Sequence, residues 1–248
     1  MERQPRAVFL SGLLSYASLG EPAMKQDAGR YLAVIGDIKD SRDLENRGEV
    51  QRKLKAVLDQ INRGYRGEIV SEFLITLGDE FQGLMRISAP VLEIIKYIQR
   101  KMYPVALRFG IGIGEISTEI NPFAAIGSDG PAYYGAREMI GQVHANEKKN
   151  KRTGSDIRLC VYGKKSFEAD RINLLLSMIW MIEDDWSTDQ RLTVWDMMEK
   201  GGSQEECAKR MKTHQSTIGR RLSAGRYYLY RETLDITERS IQLLEEKL

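Results

Sequence analysis

Histidine and cysteine are scarce in this sequence, with two of each in 248 residues. Cys160 and Cys207 lie far apart, as do His144 and His214, and none of the four follows a zinc-ligand spacing. A zinc centre is therefore excluded. Two unclustered cysteines read as small hydrophobes of a reducing compartment rather than as a disulfide. Long apolar runs are missing too. Residues 7–14 (AVFLSGLL), after Arg3 and Arg6, imitate a signal peptide, but they are too short to span a bilayer and contain Ser11 and Gly12. The expectation is a disordered or extended tail over residues 1–28, with Met24 a candidate start, and a cytoplasmic protein with no membrane partner. No repeat or low-complexity segment appears. Charge of one sign is also missing: 37 Lys and Arg face 35 Asp and Glu, a net charge of +2. Any nucleic-acid contact must then come from a local excess.

What is present is ordinary globular material, 42% hydrophobic and 29% charged, enough to bury a sizeable core. Residues 31–36 (YLAVIG) read as a buried strand, and residues 46–63 carry Val50, Leu54, Val57, Leu58 and Ile61 at a helical period. Residues 68–77 and 80–85 read as two strands joined by Gly78-Asp79, a hairpin signal. Pro90 opens a helix to about Met102, and residues 105–116 form a glycine-interrupted strand. A helix over residues 131–146 and a strand over 157–162 follow. The order β-α-β-β-α-β, then α and β, predicts a ferredoxin-like core with additions: an antiparallel sheet covered by helices on one face. From Glu168 onward the pattern is all helix. Residues 172–182 (INLLLSMIWMI) form a strongly apolar helix that links two parts or packs a dimer.

Two acidic turns carry the chemistry. Asp37 ends the first strand in Gly36-Asp37-Ile38, and Asp79 and Glu80 occupy the hairpin in Gly78-Asp79-Glu80. In a ferredoxin-like sheet these strand ends are neighbours, so the carboxylates meet at one edge. Such a group of hard oxygens suits Mg2+, or Mn2+, with a nucleoside triphosphate.

Four segments in order carry a resemblance. Residues 36–41 (GDIKDS) resemble the first metal-binding segment of class III nucleotidyl cyclases, and residues 76–84 (TLGDEFQGL) their hairpin motif. Residues 108–116 (RFGIGIGEI) resemble the strand that follows, and residues 130–139 (GPAYYGAREM) the helix bearing an Asn and an Arg four residues apart. With a C-terminal helix-turn-helix, the chain resembles the SatD family. The resemblance implies a nucleotidyl-cyclase-type fold with Asp37 and Asp79 as metal ligands, Glu80 beside them, and the Ile38 carbonyl as a further ligand. It implies phosphate contact by the Lys39, Asp40, Ser41 and Arg42 segment, and charge stabilisation by Arg137, often from a partner subunit. Two positions depart from the cyclase pattern. Tyr133 stands where cyclases have the Asn, and Ile75 stands at the base-selecting position. An apolar residue there cannot hydrogen-bond to base edges, so nucleotide and metal binding are expected rather than ordinary cyclic-nucleotide synthesis.

The C-terminal part reads as a DNA reader. Ser203 and Glu206 form a capping box, residues 212–214 a short turn, and residues 215–223 (QSTIGRRLS) a second helix. Ile218 and Leu222, four apart, face inward, leaving Gln215, Ser216, Thr217, Arg220 and Arg221 outside. Residues 203–231 hold seven basic residues against Glu205 and Glu206, a local +5. Gly219 inside the helix is unusual. The expected organisation is a cyclase-like domain over residues 29–165, a linking or dimer helix over 166–187, and a helix-turn-helix domain over 188–248. The expected function is a homodimeric regulator that binds double-stranded DNA and senses a nucleotide with its cyclase-like domain. The alternative is a nucleotidyl transferase or cyclase-like enzyme making a nucleotide signal.

Overall fold

A computed structural model describes residues 29–125, 127–149 and 155–244. The tail expected over residues 1–28 lies outside the described residues. The chain divides into two compact units. One runs up to Trp180 and takes in the segment from Asp235; the other is Met181–Leu234.

The first unit contains, in chain order, β1 (Tyr31–Ile38), α1 (Arg47–Gly64), β2 (Ile69–Leu77), β3 (Glu80–Arg86), α2 (Val91–Met102), β4 (Leu107–Gly114), α3 (Pro131–Lys149) and β5 (Ile157–Val161). The sheet order is β2-β3-β1-β4-β5. The hairpin between β2 and β3 turns on Gly78-Asp79 alone, with Leu77 opposite Glu80. Gly78 has φ +66, the left-handed backbone that a type II′ hairpin requires at its first turn residue.

The mixed α/β class and the ferredoxin-like order of the first four strands match the sequence. Two details of the expectation need correction. The sheet is not wholly antiparallel, because β5 runs parallel to β4. Nor are the helices confined to one face. The cause lies in β4, whose side chains alternate between faces. Phe109, Ile111 and Ile113 enter the larger core with α1 and α2. Gly110, Gly112 and Gly114 form the opposite side, where α3 lies against bare backbone. A Cβ on Gly112 would sit 2.0 Å from the Ala132 carbonyl and 2.3 Å from the Ala136 amide. All eight residues of β4 are buried in consequence. α3 completes a second core with Ala33, Ile35, Val70 and Leu84 through Ala132, Ala136 and Ile140.

Beyond the sheet come α4 (Phe167–Asp184), α5 (Thr188–Lys200), α6 (Gln204–Arg210), α7 (Gln215–Ala224) and α8 (Tyr227–Gln242). In the helical unit, capping boxes start α5 (Ser187 with Gln190) and α6 (Ser203 with Glu206). Ile218 and Leu222 are buried as their spacing requires. Trp186 donates from Nε1 to the Gly225 carbonyl at 2.8 Å and stacks edge-on with Tyr230.

Candidate functional site

Asp37 faces α3, on the same side of β1 as Ala33 and Ile35. Its register partners are Glu80 on β3 and Arg108 on β4. Directly opposed residues of antiparallel strands point to the same face, so Glu80, Asp37 and Arg108 form a row across the end of the sheet. The C-terminal half of α3 crosses this row. His144 places Nε2 2.8 Å from Asp37 Oδ2, and Arg108 approaches Asp37 Oδ1 at 3.5 Å. Arg137 forks the Glu80 carboxylate, one limb at 3.0 Å to Oε1 and the other on Oε2. Glu147 accepts from Arg108 Nε at 2.6 Å and pairs with Lys39 at 2.7 Å, and Lys39 also reaches Asp156 at 2.5 Å.

Burial pushes the Asp37 carboxyl above its usual range, opposed by the charges of Arg108 and His144. Burial also disfavours the ionised form of Glu147, but hydrogen bonds and charge from Lys39 and Arg108 outweigh it and hold this carboxyl low. Lys39, desolvated but flanked by Asp156 and Glu147, is held above its ordinary value. All three shifts reflect a partly dry corner in which opposite charges alternate.

The remaining expected residues are placed as follows. Asp79 lies in the turn beside Glu80, half-buried and with no partner among the described residues. Ile38 closes β1 with its side chain in the core. Asp40 adopts a left-handed φ of +51 and turns the chain into a short 3-10 helix, Ser41–Asp43. Ser41 is buried, and Asp40 and Arg42 are exposed. The Ser41 and Arg42 amides make no hydrogen bond among the described residues. Tyr133 is a packing residue of the second core, and its buried hydroxyl has no hydrogen-bond partner among the described residues. Ile75 packs partly buried against the larger core. Sequence reasoning missed Arg108, His144, Glu147 and Asp156. The one available signal was Arg108, a charge inside an otherwise apolar strand.

In the helical unit, Lys212 takes a left-handed φ of +51 in the turn before α7. Gln215, Ser216 and Arg220 are exposed, and Thr217 is half-buried. Arg221 differs from the expectation: it turns to α5 and pairs with Asp189. Arg210 pairs with Asp196, and Lys209 with Glu205. Among the described residues, Lys212, Arg220 and Arg226 are the exposed cations without an ion pair here. Gly219 faces α6, where a Cβ would stand 3.1 Å from Gln204 Oε1, the far end of a flexible side chain, so nothing in the packing requires a glycine inside this helix.

The sequence profile of the SatD family matches residues 31–239. The chain belongs to the SatD family. No curated protein matches it. Among solved structures, this SatD-family chain is similar to a bacterial light-regulated adenylyl cyclase at 13% identity and TM-score 0.38, over 53% of this chain and 75% of that one. It is also similar to a regulator of polyketide synthase expression from Bifidobacterium adolescentis at 14% identity and TM-score 0.28, over 85% and 86%.

The acidic residues of the two turns imply a divalent ion, and the corner supplies oxygens of the right kind. Their arrangement does not fit a resident metal. Both Asp37 oxygens are directed at cationic or imidazole partners, Glu80 is forked by Arg137, and no three His, Cys, Asp or Glu side chains group as ligands among the described residues. No described helix is long and apolar enough to cross a membrane.

Proposed function

We propose that this SatD-family chain is a DNA-binding regulator whose sheet unit takes a nucleoside triphosphate as effector, the nucleotide carrying Mg2+ or Mn2+ with it. The observation that carries the reading is α7. Its N-terminal end presents Gln215 and Ser216 with Arg220 one turn on, all exposed, behind a capped α6. That is the presentation a major-groove reader needs, amide and hydroxyl groups for base edges and a guanidinium for phosphate. For the nucleotide, support comes from Lys39, Arg42 and Arg137 around the sheet end and from the uncommitted Ser41 and Arg42 amides, donors suited to phosphate oxygens. A homodimer would match paired DNA half-sites. Regulation requires the nucleotide to bind two conformations unequally, and α4 and α8 each contribute residues to both units.

A second reading, a nucleotidyl transferase or cyclase-like enzyme, is favoured by Asp37 and Glu80 standing opposite in register with Arg137 above them. Binding of random and selected duplexes, with and without each triphosphate, tests the regulator. Mass spectrometry of the same mixtures tests the enzyme: a new nucleotide product made without any duplex binding would replace the first reading by the second.

A further inference from the structure

Asp37 and Glu80 stand opposite in register at the ends of β1 and β3, where a divalent ion would draw on both. Their oxygens are already engaged. Asp37 Oδ1 faces Arg108 Nη1 at 3.5 Å and Oδ2 faces His144 Nε2 at 2.8 Å, so that only 15% of the side chain is exposed. Glu80 Oε1 accepts from Arg137 Nη2 at 3.0 Å and from Thr76 Oγ1 at 3.2 Å, while Arg137 Nη1 lies on Oε2. Of the neighbouring carboxylates, Glu147 is held by Lys39 and Arg108, and Asp156 by Lys39. Asp79 is left without a partner among the described residues. One carboxylate is a poor ligand set for an ion that takes about six oxygens.

Packing, rather than charge, delivers the α3 groups to this place. A Cβ on Gly110 would sit 2.1 Å from the Ala136 carbonyl and 2.6 Å from the Ile140 amide, so the helix backbone rests on β4 on either side of Arg137. His144 follows Ile140 by one turn. We infer that α3 closes the acidic pair against a free divalent cation: Arg137 and His144 occupy the positions on Glu80 and Asp37 that the ion would take. A bare ion has to displace both, and a guanidinium a few ångströms away repels it. A nucleotide supplies what the bare ion lacks, because its phosphates give Arg137 a new anionic partner. The ion therefore enters with the nucleotide and not before it. The inference rests on the proposed reading of this corner as the nucleotide's site. Its test uses no nucleotide, so the two can fail separately.

Titration of the full chain with Mn2+ alone, followed by the electron paramagnetic resonance signal of the free ion, is the test. Wild type and Asp37→Asn should bind Mn2+ alike, because the closed corner takes no ion. Arg137→Ala with His144→Ala should bind Mn2+ tighter by roughly tenfold or more, the combined effect of two exposed charged contacts. Adding Asp37→Asn should abolish that gain. Arg137→Lys keeps the positive charge and should behave as the wild type. Arg137 is 54% and His144 42% exposed, so the variants should fold, which circular dichroism checks. Should the double variant unfold, Arg137→Ala alone carries the same comparison with a smaller gain. A wild type that loses Mn2+ affinity on Asp37→Asn overturns the inference. So does a folded variant, double or single, whose melting point falls while its Mn2+ binding stays that of the wild type, since α3 would then only staple the sheet.

Discussion

His144 Nε2 lies 2.8 Å from Asp37 Oδ2, and Arg137, two turns earlier on the same helix, holds Glu80, the residue opposite Asp37 across the strand pair. α3 therefore clamps two neighbouring strand ends with cationic and imidazole groups. Any ligand entering this corner has to compete with α3 for the carboxylates. The carboxylates of Asp37 and Glu80 are thus both engaged by cationic or imidazole partners in the free protein.

The corner can be tested by neutral replacement. Asp37→Asn with Asp79→Asn removes two negative charges while keeping the side-chain shapes, so the fold should survive with a change within about 1 kcal/mol. Binding of a triphosphate with Mg2+, followed by calorimetry, should fall by roughly tenfold or more, since the Mg2+ that the nucleotide carries loses two carboxylate groups as oxygen ligands. Unchanged affinity in the folded double mutant would remove this corner as the nucleotide site. Arg137→Ala should leave stability nearly unaltered, because its side chain is 54% exposed and such pairs contribute roughly 0–1 kcal/mol.

The reader helix gives a prediction in three parts. Arg220→Ala should weaken binding to every duplex and lower the slope of log affinity against log salt by about 0.9. Gln215→Ala should instead relax sequence preference, because an amide side chain pairs bidentately with adenine. Arg221→Ala should lower stability more than affinity, since Arg221 is tied to Asp189 across the helical unit. Titrations by fluorescence anisotropy over a salt series separate these outcomes, and equal losses for all three would refute the assignment.

Glu238 on α8 sets a pH dependence. Its Oε2 accepts the amides of Leu92 at 2.8 Å and Glu93 at 3.0 Å, capping α2 where Pro90 has no side chain able to do so. Burial pushes this carboxyl up to about 7 from an ordinary 4.5, with the amides pulling the other way and the Glu93 charge adding to the rise. The ionised form is thus the costly one in the folded state. Stability from this group grows as pH falls from above 7 towards 4.5, and is lost as pH rises through 7. The full difference is at most about 3 kcal/mol. Glu238→Gln keeps an acceptor without the charge. Denaturant melts at pH 5 and pH 8 should show the wild type losing stability relative to Glu238→Gln; parallel behaviour would sink the claim.

Two glycines of similar appearance in the sequence should behave oppositely. Gly112→Ala drives a Cβ into α3 backbone at 2.0 Å and should cost about 3 kcal/mol or more, because backbone cannot step aside. Gly141, inside α3, has nothing among the described residues within 4 Å of its missing Cβ. Gly141→Ala should stabilise by up to about 1 kcal/mol. Thermal melts of the two variants decide it, and a stable Gly112→Ala protein would contradict the close seating of α3.

Much of this protein is written locally and could be taken from the sequence alone. The helical period of residues 46–63, the Gly78-Asp79 hairpin, the Ser203–Glu206 capping box and the buried Ile218 and Leu222 each depend on neighbours a few residues away. The adjacency of Asp37 and Glu80 was also legible, because strand order in a ferredoxin-like core brings those two strand ends together. What tertiary structure decided was non-local. The glycines of β4 read as interruptions of a strand, and only the packed fold makes them the seat of a helix on the second face. Arg108, His144, Glu147 and Asp156 are scattered through 49 positions of sequence and meet Asp37 and Lys39 only through strand register and the crossing of α3. Arg221 looked as exposed as Arg220, yet α5 supplies Asp189 and turns it inward. A side chain's partner is chosen by distance in space, and periodicity along the chain specifies only which way the side chain points.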